Sequence, residues 1–192
     1  MAARLVFSLL LAVACSHAAL AAAASSSSSS SAVEDTCAKA TASGSRKDLA
    51  PFCVSTLQAA PGSAGADARG LAVIATNLTL ANYTAAYATI KALQRRGGWS
   101  EREQSALATC RQLYIEALNV VHSAIHALNT GQAQAYVADM GVVRRAATGC
   151  EDAFGVGGVG VGNQLATESP LHKVDDDAIN LTTVAMLIVL IL

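Results

Sequence analysis

From Ala66 onward the apolar residues recur at three- and four-residue spacings and never settle into alternation. That period places them on one side of a helix, and it repeats along four successive segments. Leu71, Ile74, Leu78, Ala81, Ala85 and Ala88 form the first stripe, which ends at Gly97-Gly98. Gln94-Arg95-Arg96 precede that stop and put cations where a helix C-terminus favours them. Ser100, with Glu103 three residues later, makes a capping box. Behind it Leu107, Cys110, Tyr114, Ala117, Val121, Ile125 and Leu128 form the second stripe, stopped by Asn129-Thr130-Gly131. Residues 132–154 predict a third helix with Val137, Met140, Val143 and Ala147 inward. Ser169-Pro170 reads as an N-cap followed by proline at the first helical position, opening a fourth stripe of Leu171, Val174, Ala178, Leu181, Ala185 and Ile188. A helix with one apolar stripe must bury it against another element. Four such helices with short connections predict an all-α, antiparallel four-helix bundle over residues 66–192. Ahead of it, residues 32–58 hold two short helix candidates separated by Ser43-Gly44-Ser45, the second running from near Asp48 to near Gln58. They predict a short N-terminal α-hairpin.

The ends of the chain explain its high mean hydropathy of +0.40. Residues 1–24 carry one charge, Arg4, then an apolar run and a small-residue exit, the pattern of a secretory signal peptide. Residues 25–31 are seven serines and predict a flexible leader. At the other end, residues 184–192 are apolar but too short and too interrupted upstream to span a bilayer comfortably. They read as the last turns of a bundle helix, with a lipid-anchor signal or a short anchor of another kind as the alternatives. A net charge of −1 argues against a nucleic-acid binder, which needs a basic face.

Cys15 departs with the leader, so four of the five cysteines remain: Cys37, Cys53, Cys110 and Cys150. An even number in a secreted chain implies two disulfides, with three pairings open. No C-x-x-C accompanies them at zinc-ligand spacing. His122 and His126 share a helix face, but Ser123 stands where a metalloprotease places its glutamate, so they read as a surface or partly buried pair. Residues 155–160 spell G-x-G-x-x-G, yet follow a helix where the dinucleotide fingerprint needs a strand. Asp175, Asp176 and Asp177 read as a solvated run, and Glu151 and Asp152 as capping or interface groups. No triad or nucleophile elbow is spelled out, so the chain reads as a non-enzyme with no cofactor or metal. Asn77, Asn82 and Asn180 head three N-glycosylation sequons.

A secretory leader, a stapled hairpin, four long helices and four cysteines together resemble the plant invertase and pectin methylesterase inhibitor family. Thr148-Gly149-Cys150-Glu151-Asp152-Ala153-Phe154 is the sharpest local match. Phe52-Cys53-Val54 with Leu57, Gly70-Leu71-Ala72 with Ile74, Ala75 and Asn77, and Ser169-Pro170-Leu171 with Leu181-Thr182 and Ala185 extend it. The family's cysteine topology implies Cys37–Cys53 and Cys110–Cys150. Two departures stand out: Gly149 replaces the family's usual threonine, and the first cysteine pair is wider than in many members. The resemblance implies a secreted, apoplastic protein that docks 1:1 over the cleft of a cell-wall enzyme. Pectin methylesterase is the expected partner. Acid invertase is the alternative, since the Gly-Leu-Ala and Ser-Pro-Leu segments also look like pollen proteins of the invertase-inhibitor kind. A secreted or lipid-anchored bundle with no enzyme target is a further alternative. On family grounds the two middle helices of the bundle carry the contact surface, with Arg102, Arg111, Asp139 and Arg144 as candidate interface residues.

Overall fold

The structure, a computed structural model of the chain, describes residues 27–42, 46–155 and 169–192. The signal segment, the Ser43-Gly44-Ser45 break and all but Gly155 of the G-x-G-x-x-G match lie outside them. Six helices follow in order: α1 (Ser27–Ala42), α2 (Ala50–Gln58), α3 (Ala68–Arg96), α4 (Glu101–Asn129), α5 (Ala133–Gly155) and α6 (His172–Val189). Among the described residues there is no strand. Helix α1 starts inside the serine run. A single 3₁₀ turn, Lys47–Leu49, leads into α2 with Pro51 in its first turn, where the missing N–H costs nothing.

Local chemistry sets the helix ends. Asp67 caps α3 by accepting from the Gly70 N–H at 2.8 Å. The capping box of Ser100 and Glu103 forms both of its bonds at the start of α4. Between α3 and α4, Gly97 and Gly98 take positive φ (67° and 79°), which glycine adopts without the steric cost of a Cβ. Trp99 closes this corner, its indole N–H donating to the Leu93 carbonyl at 2.7 Å and its ring lying under the Arg96 guanidinium. The fourth helix departs from expectation at its start. Ser169 accepts from the Leu171 N–H at 3.1 Å, closing a turn, and α6 begins at His172 rather than at Pro170.

Helix α3 packs on α4, α4 on α5, α5 on α6 and α6 back on α3, so the four form a closed ring with α3 opposite α5 and α4 opposite α6. The hairpin of α1 and α2 leans on α3 and α6. Both disulfides have the pairing the resemblance implies: Cys37–Cys53 ties α1 to α2, and Cys110–Cys150 ties α4 to α5 with Cα atoms 4.6 Å apart. Around that second bridge the backbones must approach closely. Gly149 permits it, because a Cβ there would sit 3.1 Å from Leu113 Cδ1.

The stripes of α4 and α6 are buried largely as the spacing predicts. The stripe of α3 is not. Ala81, Ala85 and Ala88 are exposed, and the core side is Leu71, Ala72, Ala75, Thr76, Thr79, Tyr83, Ala86 and Ile90. Polar atoms on this face are satisfied, so they can be buried without the usual desolvation penalty. Thr76 and Thr79 donate to the carbonyls one turn back, Ala72 and Ala75.

Candidate docking surface and the buried polar core

The four charged residues singled out for an interface do not gather on one face. Arg102 is exposed, but its guanidinium donates to the Phe154 carbonyl at 2.9 Å and so ties the start of α4 to the end of α5. Arg111 is exposed nine residues further along the same helix. At about 100° per residue that places it on the opposite flank. Asp139 and Arg144 are both half-buried on α5. The Arg144 Nε is buried without a hydrogen-bond partner. His122 and His126 are exposed on α4, and no group of three metal-ligating side chains exists among the described residues. Asn77 is exposed on α3. Asn82 is half-buried with its Oδ1 enclosed, and Asn180 is engaged by Arg46 and Asp176. No described helix is long and apolar enough to cross a membrane.

The interior is more distinctive. Three tyrosines, all fully buried, bridge the diagonals of the ring. Tyr136 of α5 meets Thr76 of α3 at 2.7 Å. Thr76 spends its own proton on Ala72, so the tyrosine is the donor. Tyr83 of α3 donates to the Val143 carbonyl of α5 at 2.8 Å. Tyr114 of α4 crosses the other diagonal and donates to Asp175 Oδ1 on α6. Burial raises all three phenols, Tyr136 to about 12, so they remain protonated donors.

Asp175 corrects the reading of 175–177 as a solvated run. It is fully buried, whereas Asp176 is exposed and Asp177 pairs with Lys173 at 2.8 Å. Burial pushes the Asp175 carboxyl up to about 8, against the opposing pull of the Tyr114 hydroxyl. Glu151 on α5 lies against it. Burial alone would raise Glu151 too, but the His172 imidazole against it, with Ser169 and Asp175 beside it, holds it below the ordinary value. The His172 ring nitrogen sits 2.7 Å from Glu151 Oε2. Sequence spacing does carry a trace of this. Asp175 lies four residues after Leu171 and three before Ala178, within the apolar stripe, and the buried Tyr114 needs a hydroxyl partner.

Disulfides, ring topology and length together narrow the fold, and the family follows from comparison. A family model described as plant invertase/pectin methylesterase inhibitor matches residues 31–188. The chain belongs to this family. Its members are inhibitors of enzymes, and the chain carries their fold. A crystal structure of mutant form A of a pectin methylesterase inhibitor from Arabidopsis superposes with a TM-score of 0.61 at 21% identity, covering 74% of this chain and 89% of that one. A crystal structure of a pectin methylesterase inhibitor from Arabidopsis thaliana gives 0.56 at 20% identity, covering 74% and 88%. No curated protein matches the sequence significantly. The family's usual disulfide pairing and bundle thus recur here on a core in which many alanines and three tyrosines pack among leucine, isoleucine and valine.

Proposed function

We propose that this chain is a secreted inhibitor of a plant pectin methylesterase, acting in the apoplast by 1:1 docking over the enzyme's active-site cleft. Family membership over residues 31–188 is the observation that carries the reading. The target is favoured by the solved structures of similar fold, which are pectin methylesterase inhibitors. It is favoured also by the lack of a Pro-Lys-Phe segment of the kind some invertase inhibitors present: Pro51, Pro61 and Pro170 are followed by Phe, Gly and Leu. The hairpin leans on α3 and α6, which supports α4 and α5 as the docking side. A surface held by a disulfide and by cross-core hydrogen bonds loses little entropy on association. Within that side, Arg111 and Asp139 are the proposed contacts, with Arg102 and Arg144 shaping the helices beneath. Two disulfides suit an oxidising compartment. Of the sequons, exposed Asn77 is the proposed glycan carrier, because Asn180 is already bonded to Arg46.

Titration of a plant pectin methylesterase with the purified protein tests the reading. Activity should fall linearly to near zero around one equivalent. Full activity at several equivalents refutes it, and the same titration against acid invertase distinguishes the other member of the family's target pair.

A further inference from the structure

Two carboxyl groups, one fully buried and one half-buried, meet without a donor between them. Glu151 Oε1 and Asp175 Oδ2 are both buried, and neither accepts a hydrogen bond from any N–H or O–H. Their partner oxygens are accounted for: Asp175 Oδ1 accepts from Tyr114, and Glu151 Oε2 meets His172. Two ionised carboxylates offer only acceptors, and like charges at close range beside a buried group repel. One proton placed between them resolves both problems, turning two orphaned acceptors into a single charge-assisted hydrogen bond.

We propose that Glu151 and Asp175 share one buried proton, and that this proton clamps α5 to α6 so that the bundle closes more firmly as the medium becomes acid. The proton is taken from solvent when the chain folds and returned when it unfolds. It resides on Asp175, the more deeply buried of the two and the one without a basic neighbour. Around the pair, α4 contributes Tyr114, and α3 contributes Tyr83, whose ring lies 5.0 Å from that of Tyr114. Helix α5 contributes Glu151 itself and Arg144, which acts on Tyr83. Ser169 and His172, at the lead-in to α6, face Glu151.

The sign follows from where Asp175 titrates. Its folded value, about 8, exceeds its ordinary value of 3.8, so folding binds a proton across that interval. Stability from this group is fully present below the ordinary value and is lost as pH rises through the folded one. Glu151, held low, opposes this only in stronger acid.

The test is equilibrium unfolding in urea at half-unit pH steps from 5 to 9, with both disulfides intact. For the native chain the folding constant should fall with rising pH, by about tenfold per unit at the steepest, then level off above pH 8. Asp175→Asn should flatten the curve, because its amide can accept from Tyr114 and donate to Glu151 with no proton taken up. His172→Gln should keep the slope, which separates the shared proton from titration of the imidazole. A native curve already flat across this range, or an Asp175→Asn curve as steep as the native one, overturns the proposal. Should Asp175→Asn fail to fold, calorimetric unfolding of the native chain at pH 6.5 in two buffers of different ionisation enthalpy decides. About one proton released per chain supports the shared proton, and none refutes it.

Discussion

Removing each disulfide by paired alanine substitution asks how far the unfolded chain, rather than native contacts, governs the stability of this bundle. The bridges close segments of different length: 16 residues for Cys37–Cys53 and 40 for Cys110–Cys150. In the chain-entropy account they restrict the unfolded state by about 3 and about 4 kcal/mol respectively. The native-side losses nearly cancel in the comparison, since all four sulfurs are fully buried and each is replaced by a methyl. Cys110→Ala/Cys150→Ala should therefore be less stable than Cys37→Ala/Cys53→Ala by about 1 kcal/mol. Urea unfolding followed by far-ultraviolet circular dichroism supplies the free energies. Trp99, the sole tryptophan, sits at the α3–α4 corner and reports on the bundle by fluorescence. Both variants should show steeper denaturant dependence than the parent, because their unfolded chains expose more surface. The reasoning fails if the hairpin variant loses as much as the bundle variant, or more. That outcome would mean the short bridge acts chiefly by keeping α1 and α2 docked. Circular dichroism would then fall before the Trp99 signal, where the entropic account expects the two to coincide.

Glycines on α5 give a contrast of sign. Gly141→Ala should stabilise by about 0.5–1 kcal/mol, since the new Cβ meets only the Arg145 guanidinium at 3.7 Å. Gly149→Ala should gain little, as the Leu113 methyl 3.1 Å away offsets the helix preference, and Gly149→Thr should destabilise by about 1–3 kcal/mol; thermal melts of the three variants check the order. Tyr136→Phe should cost about 1 kcal/mol, because Thr76 keeps its bond to Ala72, and a double-mutant cycle with Thr76→Val should recover most of that as coupling. Asp67→Ala removes the acceptor for the Gly70 N–H and should cost about 1 kcal/mol in urea titration.

Much of the architecture was legible because it is local. Helix α4 announces itself through Ser100, Glu103 and a stripe from Leu107 to Leu128, none of which depends on a distant residue. The phase of α3 is hidden in the sequence for a physical reason. Threonine and tyrosine count as polar in a pattern, yet Thr76, Thr79 and Tyr83 bury once their hydroxyls find partners. The Asp175 pairing was hidden more deeply. It joins α4, α5 and α6 across gaps of 61 and 24 residues, and periodicity within one helix says nothing about the register between helices. The candidate contacts Arg102 and Arg111 suffered the reverse difficulty: both are exposed, as charge suggests, but a separation of nine residues turns them apart.

The diagonal tyrosines have a consequence for the uniqueness of the fold. Seams lined by alanine are nearly uniform along their length, and a helix can slide one turn, about 5.4 Å, against such a surface with little change in apolar burial. Such a slip would unseat the Tyr83, Tyr114 and Tyr136 hydroxyls from Val143, Asp175 and Thr76 while leaving them buried. Apolar side chains supply the cohesion of this bundle, the Cys110–Cys150 bridge fixes α4 against α5, and three phenol oxygens add to the alignment across the diagonals. A chain with phenylalanine at all three positions would keep nearly the same compactness and lose part of its preference for one alignment of the diagonal helices over its neighbours.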